Sequence, residues 1–399
     1  MQNLRPNFRT NAIVVNIEAM ADTYILGIES SCDETAAAIV RSGEQIISSA
    51  VASQIATHIP YGGVVPELAS REHLRAITPI VRQALEQANR TYESIDAIAV
   101  TKGPGLAGSL LVGVSFAKSL SYALSKPLIA VNHLEGHIHA VLLEERQKGN
   151  KNLEFPLMTL VVSGGHTHLY LATKRGEGWS YQNVGHTRDD AAGEAFDKVA
   201  KLLALGYPGG PIIDKAAKLG DPYAVKFPPA QIKHRNRGDK SPEPERPHFD
   251  FSYSGIKTAV LRYVETHDMQ NDIDERRRAL ALIGKPNSDQ VIAHCNKATL
   301  DLVASFQRAI IDDLISKTLA AAREYDIATL FVSGGVAANS ELRATFEKRA
   351  AQEGIPVFFP SRPLSTDNAA MIAAAAYPKW LAGEFADAEL SAEASLPLR

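Results

Sequence analysis

Cysteine is scarce in this chain of 399 residues, in which Cys32 and Cys295 are the only two. Two cysteines cannot build the disulfide framework of a small secreted protein, so both thiols are expected to be free, as in the reducing cytoplasm. The chain also lacks an uninterrupted apolar run of about 18 residues, and the sequence therefore predicts no membrane-spanning helix.

The chain also lacks a large excess of charge of either sign. The formal net charge is −3, and charged residues make up 22% of the chain. This balance excludes a global basic field for nucleic acid, so any such contact must come from local patches. Two patches are candidates, a basic exposed loop predicted at 227–248 and the run Arg276-Arg277-Arg278. Solvated surface charge is the commoner explanation of such runs.

Segments typical of strands and of helices alternate along the chain, which predicts an α/β architecture. We expect an extension over residues 1–23, a first lobe over 24–155 and a second lobe over 156–380. An acidic, Ala-rich tail is expected over 381–399, after a final helix that starts near Asp367.

A short sequence occurs twice. Val162-Ser163-Gly164-Gly165 recurs as Val332-Ser333-Gly334-Gly335, each time after an apolar run that reads as a buried strand. Glycine leaves the backbone bare, so a phosphate or carboxylate can approach its N–H donors. The repeat predicts matching loops in two halves of a duplicated α/β unit, gripping one ligand from both sides.

A metal site is suggested by His133 and His137, which would lie on one face of a helix and could share an ion. Asp367, at a predicted helix start, is the best-placed third ligand. From the residues alone, two purely structural alternatives remain open. The histidines can be ordinary helix residues, and Asp367 can be a helix N-cap without a metal.

Hydrolase chemistry is disfavoured. The zinc-protease motifs need Glu where Leu134 or Gly136 stands, and Glu135 points away from both histidines on a helix. Ser31 and Ser163 lack the G-x-S-x-G context of a hydrolase nucleophile, so a loop role is favoured for both.

The motifs together identify a family. The chain closely resembles bacterial tRNA N6-adenosine threonylcarbamoyltransferases, formerly described as O-sialoglycoprotein endopeptidases, from residue 24 to about residue 380. The matching motifs are Gly27-Ile-Glu-Ser-Ser-Cys-Asp-Glu-Thr35, Gly62-Gly-Val-Val-Pro-Glu-Leu-Ala-Ser-Arg71, Gly103-Pro-Gly-Leu106, His133-Leu-Glu-Gly-His137, Val162-Ser-Gly-Gly-His-Thr167, Gly193-Glu-Ala-Phe-Asp-Lys198, Tyr207-Pro-Gly-Gly-Pro211, Asp250-Phe-Ser-Tyr-Ser-Gly-Ile-Lys257 and Ser365-Thr-Asp-Asn368.

The resemblance implies an actin-like fold (sugar kinase/Hsp70 type) of two duplicated lobes with the ligand between them. It implies transfer of a threonylcarbamoyl group from threonylcarbamoyl-AMP to N6 of adenosine 37, in tRNAs that read codons beginning with A. The family works with a smaller paralogue lacking the metal histidines and with a P-loop ATPase, and both partners are expected here.

The resemblance also implies roles for individual residues. His133, His137 and Asp367 would hold one divalent metal, usually iron(II) in the family, and this ligand set would also accept zinc. The adenylate substrate would be held by Val161, Val162, Ser163, Gly164, Gly165, Asp197, Gly210, Asp214 and Asn339. The first Ser-Gly-Gly would face the phosphate and carbamoyl end, and the second the nucleoside end. Glu34 is our candidate for a group that helps to deprotonate the attacking amine.

Two rival functions remain. An actin-like kinase or ATPase is disfavoured because Glu29 stands where such kinases usually carry Asp, and because they lack the histidine pair. A non-catalytic scaffold paralogue is disfavoured because His133, His137 and Asp367 are all present. The segments 231–247 and 264–295 look longer or more divergent than is usual, which puts tRNA and partner contacts in doubt.

Overall fold

The structure is a computed structural model that describes residues 22–150, 153–175, 178–227 and 249–399. The predicted extension over 1–23, apart from its last two residues, lies outside the described residues. So does almost all of the basic loop predicted at 227–248.

The first sheet has five strands in the order β3-β2-β1-β4-β5. Strands β1, β2 and β3 are antiparallel neighbours, whereas β4 and β5 continue the sheet parallel to β1. The strands are β1 (Tyr24–Glu29), β2 (Glu34–Arg41), β3 (Gln45–Ser53), β4 (Ala97–Gly103) and β5 (Leu128–Asn132). The helices of this half are α1 (Ile55–His58), α2 (Pro66–Gln87), α3 (Ala107–Leu124) and α4 (His133–Gln147).

The second sheet repeats this plan in the order β8-β7-β6-β9-β10. Its strands are β6 (Leu157–Val162), β7 (Thr167–Arg175), β8 (Gly178–His186), β9 (Thr329–Ser333) and β10 (Val357–Phe358). Strand β6 takes the place of β1, with antiparallel β7 and β8 on one side and parallel β9 and β10 on the other. The shared order and directions confirm the predicted duplicated, actin-like two-lobe fold.

Nine further helices lie in the second half of the described chain. They are α5 (Ala192–Leu202), α6 (Gly209–Ala217), α7 (Ser254–Thr266), α8 (Gln270–Ile283), α9 (Ser288–Ala293), α10 (Lys297–Glu324), α11 (Ser340–Gln352), α12 (Arg362–Ser365) and α13 (Ala369–Ala382). The final helix thus begins two residues after the predicted start at Asp367.

Helix α13 packs on the first sheet, although it follows the second sheet in the chain. Its buried alanines join the core formed by β1, β2, β4 and β5. The backbone of α13 comes so close to β1 that a Cβ on Gly27 would lie 2.3 Å from the carbonyl oxygen of Ala369. Small residues on both elements permit this approach, which carries Asp367 back to the first half of the molecule.

Helix α4 lies between the two sheets. Ala140 and Leu143 pack into the core of the first sheet. Leu134, Ile138 and Val141 pack instead on residues of the second sheet. A residue at the start of α4 is therefore held by both lobes.

One described helix, α3, is long and apolar enough by composition to cross a membrane, and 28% of it is buried. A single such helix is weak evidence of a span, so the expectation of no membrane-spanning helix stays a prediction. Leu111 and Tyr122 lie on its exposed side.

Candidate active site

The two histidines occupy the first turns of α4. Asn132 caps the helix, because its side-chain oxygen accepts a hydrogen bond from the backbone N–H of Leu134 (2.9 Å). His133 and His137 then stand one turn apart on the same face, with ring centroids 4.7 Å apart. Both are buried, at 3% and 0% exposure.

Asp367 completes the group from the connection between α12 and α13. Its Oδ1 lies 3.5 Å from Nε2 of His133 and 3.2 Å from Nε2 of His137. The three potential ligand atoms all lie within 4.8 Å of one another. The N-cap of α13 is Asn368, whose side chain accepts from the N–H of Met371, so capping does not explain Asp367.

The chemistry of these residues fits a metal ion. Among the described residues, Nδ1 of the fully buried His137 ring has no hydrogen-bond partner, and Nε2 meets only the Asp367 carboxylate, at 3.2 Å without hydrogen-bond geometry. A buried imidazole so poorly satisfied is costly unless something else binds it. Burial alone would raise the pKa of Asp367, but the imidazoles of His133 and His137 outweigh it and hold that pKa well below its usual range. Asp367 is therefore an anionic candidate ligand facing two imidazole nitrogens.

Glu29 orients His133, and sequence reasoning missed this role. Its carboxylate is fully buried and accepts hydrogen bonds from the N–H of Ser31 (2.6 Å) and the hydroxyl of Thr101 (2.8 Å). Nδ1 of His133 lies 3.0 Å from Glu29 Oε2. With Nδ1 donating to this carboxylate, Nε2 is left to face Asp367, as in carboxylate–histidine–metal arrangements. The available signal was an acidic residue ending an otherwise apolar strand.

The same contacts argue against a serine hydrolase. The hydroxyl of Ser31 lies 3.1 Å from Nδ1 of His133, the nitrogen that also meets Glu29. A catalytic triad needs the nucleophile and the carboxylate on opposite ring nitrogens. Burial opposes a positive charge on His133, but Asp367 and Glu29 outweigh it and raise the pKa of His133 to about 9.

Glu34 lies at the start of β2, after the loop that follows β1. Burial, together with the neighbouring carboxylates of Asp33 and Asp367, raises the pKa of Glu34 to about 10. A carboxyl with a pKa this far raised donates a proton near neutral pH rather than accepting one.

The first Ser-Gly-Gly loop follows β6. Its tight turn is closed by two hydrogen bonds, from the N–H of Ser163 to the carbonyl of His166 (2.7 Å) and from the N–H of His166 to the hydroxyl of Ser163 (3.2 Å). A Cβ on Gly164 or Gly165 would meet nothing within 4 Å. The side chains of the predicted ligands Val161 and Val162 are buried in separate cores, so only their backbones can face a ligand.

The N-terminal end of α5 abuts this loop. The N–H of Gly193 donates to the carbonyl of Ser163 (3.1 Å), and a Cβ on Gly193 would lie 2.6 Å from that oxygen. The N–H of Ala192 is also bonded, to the hydroxyl of Thr167 (2.9 Å), so this helix N-terminus favours an anion nearby through its dipole. The loop and helix together therefore form a chemically suitable phosphate site.

The residues predicted to bind the nucleoside lie on neighbouring elements of the second lobe. Asp197 on α5 accepts from the N–H of Gly209 (2.7 Å), and burial raises its pKa to about 6. Gly210, in the first turn of α6, faces open space. Asp214 on α6 accepts from the N–H and hydroxyl of Ser340.

Asn339 also has a structural role. It caps α11 by accepting from two backbone N–H groups, and its amide donates to the side chain of Gln307 (2.7 Å). The structure thus brings the predicted nucleoside residues near one another and gives Asp197, Asp214 and Asn339 structural partners.

The expected placement of the repeat is wrong. The second Ser-Gly-Gly belongs to the same sheet as the first, because β6 and β9 are parallel neighbours with Val161 opposite Ser333. The duplication instead matches β1 to β6 and β4 to β9. The counterparts of the two glycine loops in the first lobe are therefore the acidic loop after Glu29 and the loop Gly103–Leu106.

Comparisons with known proteins agree with this geometry. The model of the tRNA N6-adenosine threonylcarbamoyltransferase family (TsaD) matches residues 45–374. A protein of that name from Koribacter versatilis is 69% identical over 381 residues, covering 95% of this chain and 100% of the relative. Its namesake in Syntrophobacter fumaroxidans is 49% identical over 356 residues, covering 89% and 94%.

A solved structure supports the fold alone. Full-length HypF in its phosphate- and nucleotide-bound form superposes with a TM-score of 0.53 at 11% identity, covering 91% of this chain and 47% of HypF.

Proposed function

The chain belongs to the tRNA N6-adenosine threonylcarbamoyltransferase family, a family of acyltransferases, and we propose that it makes N6-threonylcarbamoyladenosine from threonylcarbamoyl-AMP. The acceptor would be N6 of adenosine 37 in tRNAs that read codons beginning with A. The observation that carries the proposal is the buried group His133, His137 and Asp367, which lies close to the first Ser-Gly-Gly loop: the His133 and His166 rings are 5.9 Å apart.

The reaction needs no protein nucleophile, because the substrate is a carbamic–phosphoric mixed anhydride and is already activated. The adenosine N6 attacks the carbamoyl carbon, the bond from that carbon to the phosphate oxygen breaks, and AMP leaves. The amine loses one proton. The protein must therefore position two substrates and stabilise the departing phosphate.

The phosphate is assigned to the N–H groups of Gly164 and Gly165 and to the dipole at the start of α5, and Ser163 would support this loop by closing its turn, since its own N–H is bonded to the carbonyl of His166. The open space beside both glycines supports close approach of its oxygens. His133, His137 and Asp367 would hold a divalent cation, with iron(II) proposed and zinc the alternative. When bound, the cation would supply positive charge to a phosphate or carbamoyl oxygen.

The nucleoside is assigned to Asp197, Gly210, Asp214 and Asn339. Carboxylates accept hydrogen bonds from ribose hydroxyls, which suits Asp197 and Asp214. Gly210 leaves room for the ligand beside the first turn of α6. Val161 and Val162 would contribute backbone groups only.

Glu34 is proposed to assist removal of the amine proton. It lies at the acidic loop of the first lobe, across from the residues that would hold the adenylate, and it must ionise before it can accept a proton. Replacement by glutamine should lower kcat more than it changes KM, because the defect would be in the transition state.

The partners are proposed to be tRNA, a smaller actin-like paralogue and a P-loop ATPase, all in the cytoplasm. Helices α2 and α3 pack side by side and expose three large apolar side chains, Leu74 (66%), Leu111 (58%) and Tyr122 (85%). Exposed apolar side chains on adjacent helices suit a protein partner, so this face is assigned to the paralogue.

The decisive experiment mixes the protein and its candidate partners with synthetic threonylcarbamoyl-AMP and unmodified tRNA. The modified nucleoside is measured by mass spectrometry, and AMP release in parallel. Wild type should form both products. His133→Ala and His137→Ala should form neither, whereas the exposed control His267→Ala should match wild type.

Three results would overturn the proposal. Undiminished product from both histidine variants would show that the metal group takes no part in the reaction. ATP hydrolysis by the wild-type chain alone, without nucleoside product, would favour the ATPase alternative, and absence of both activities would favour a scaffold.

A further inference from the structure

The C-terminal segment is packed against the first lobe and does not extend away as a tail. After α13 ends at Gly383, the N–H of Ala386 donates to the carbonyl of Leu128 at the start of β5 (2.8 Å). The ammonium group of Lys118 on α3 donates to the carbonyl of Leu390 (3.0 Å). We call residues 384–398 the C-terminal strap.

The strap next meets the loop after β4. The N–H of Glu393 donates to the carbonyl of Lys102 (2.8 Å), and the two side chains form an ion pair of 2.8 Å. The N–H of Gly105 donates to the carbonyl of Ala394 (3.1 Å). A Cβ on Gly103 would lie 1.9 Å from the carbonyl oxygen of Glu393, so the contact requires glycine there.

The opposite side of this loop touches the candidate metal site. The N–H of Leu106 donates to the carbonyl of Ser31 (2.8 Å), whose hydroxyl lies 3.1 Å from Nδ1 of His133. A Cβ on Gly105 would lie 2.5 Å from the same carbonyl oxygen. The loop is therefore clamped between the strap and Ser31.

The end of the strap reaches the metal helix itself. Asn132 uses both ends of its amide: the oxygen caps α4, and the nitrogen donates to the carbonyl of Pro397 (3.3 Å). Leu398 is 7% exposed and packs among side chains of α4 that include Leu134 and Ile138.

We propose that the C-terminal strap positions His133 for metal binding, holding it through Asn132 on one side and through the loop Gly103–Leu106 and Ser31 on the other. Leu398 and Asn132 are then positioning residues, since neither would touch the ion. The inference rests on the proposed metal site. The strap also lies beyond the segment 45–374 that matches the family model.

The test is a Co²⁺ titration of the purified full-length protein, followed by the visible absorption of the bound ion. Leu398→Ala removes the buried anchor. Asn132→Ser keeps an N-cap and loses only the donor to Pro397. Both should weaken Co²⁺ binding by about tenfold or more, the size of effect seen when a supporting contact to a metal ligand is lost. The exposed strap residue Glu389, changed to alanine, is the matched control.

Thermal unfolding of the metal-free proteins separates positioning from loss of folding. If Leu398→Ala does not fold, Asn132→Ser decides the question. If the folded strap variants bind Co²⁺ as tightly as wild type, the positioning role of the strap is refuted and the proposed metal site is not affected. Failure of the wild type to bind Co²⁺ would overturn the metal site, and the strap's role with it.

Discussion

The two Ser-Gly-Gly loops end neighbouring strands of one sheet, but an added side chain would meet different surroundings in each. In the first loop, Cβ atoms on Gly164 and Gly165 would meet nothing within 4 Å. In the second, Gly334 has φ +93° and a Cβ there would lie 2.4 Å from the carbonyl oxygen of Val162. On the proposed assignment, the first loop needs glycine for a ligand, whereas Gly334 in the second loop is needed for packing against the end of β6.

This difference shows that a repeated sequence need not have the same surroundings in both copies. The true counterparts in the duplicated fold carry different residues, since β1 leads to Glu29 and the acidic loop whereas β6 leads to bare glycines. On the proposed assignment, one lobe would supply carboxylates and the two metal histidines, and the other would supply N–H donors. A mixed anhydride with an anionic leaving group would use both.

The largest effect is expected from Gly334→Ala. A side chain at φ +93° strains the backbone by about 1–3 kcal/mol, and the contact with Val162 adds to that cost. The free energy of unfolding, measured by urea denaturation, should fall sharply. Gly335→Ala is the matched control because its Cβ would face open space. Equal stabilities of the two variants would contradict the packing role.

Glu29→Gln tests the carboxylate side of the site. Glutamine keeps the shape of the side chain but cannot offer the same anionic acceptor to Nδ1 of His133. We expect Co²⁺ affinity to fall by about 10–100-fold. Glu29→Asp should retain the charge and lose reach, so an intermediate affinity is expected. If glutamine binds Co²⁺ as tightly as wild type, the orienting role of Glu29 is refuted.

The α/β class, the duplication and the histidine–aspartate group were accessible to sequence reasoning because each leaves a local pattern. Glu29 leaves only a weak pattern, an acidic residue that ends an apolar strand, and the role proposed for the strap leaves none. Both depend on residues brought together from β1, β4, α4 and the C-terminal segment. The wrong placement of the repeat has the same cause. Strand order decides which loops are equivalent, and strand order cannot be deduced from a four-residue motif.

The pH dependence of stability tests the burial of Asp197, one of the residues that would hold the nucleoside. Burial raises its pKa to about 6 in the folded protein, above an unfolded value of about 3.9. The folded state therefore binds the proton more tightly, and this contribution to stability is present at low pH and lost as pH rises from about 4 to about 6. Asp197→Asn should gain stability relative to wild type across that window, by about 3 kcal/mol at most.

The measurement is the difference in unfolding free energy between the two proteins from pH 4 to pH 7, which cancels groups that titrate in both. A difference that does not change with pH would mean that Asp197 is not held as a buried carboxyl. Since asparagine can still accept from Gly209, loss of that hydrogen bond should not obscure the result.

Gly164→Ala should affect binding without affecting folding. The methyl group would enter open space, so the unfolding midpoint should stay at the wild-type value. It would also occupy the space assigned to the phosphate, and the KM for threonylcarbamoyl-AMP should rise about tenfold, equivalent to 1.4 kcal/mol. If Gly164→Ala is instead destabilised and has a normal KM, the first loop serves packing and not phosphate binding, contrary to our assignment.

The smallest expected effects are those of replacing Ser163 and Ser333 with alanine. Ser163 accepts from the N–H of His166, so Ser163→Ala removes a turn hydrogen bond that contributes about 1 kcal/mol. The hydroxyl of Ser333 is buried without a partner among the described residues, so Ser333→Ala should leave the ligand-free protein as stable as wild type or slightly more stable. If Ser333 serves the ligand, the same variant should bind AMP more weakly in calorimetry. If Ser333→Ala changes neither the AMP affinity nor the stability, the second loop serves packing only. The two copies of the sequence would then differ fully, one binding the ligand and the other packing.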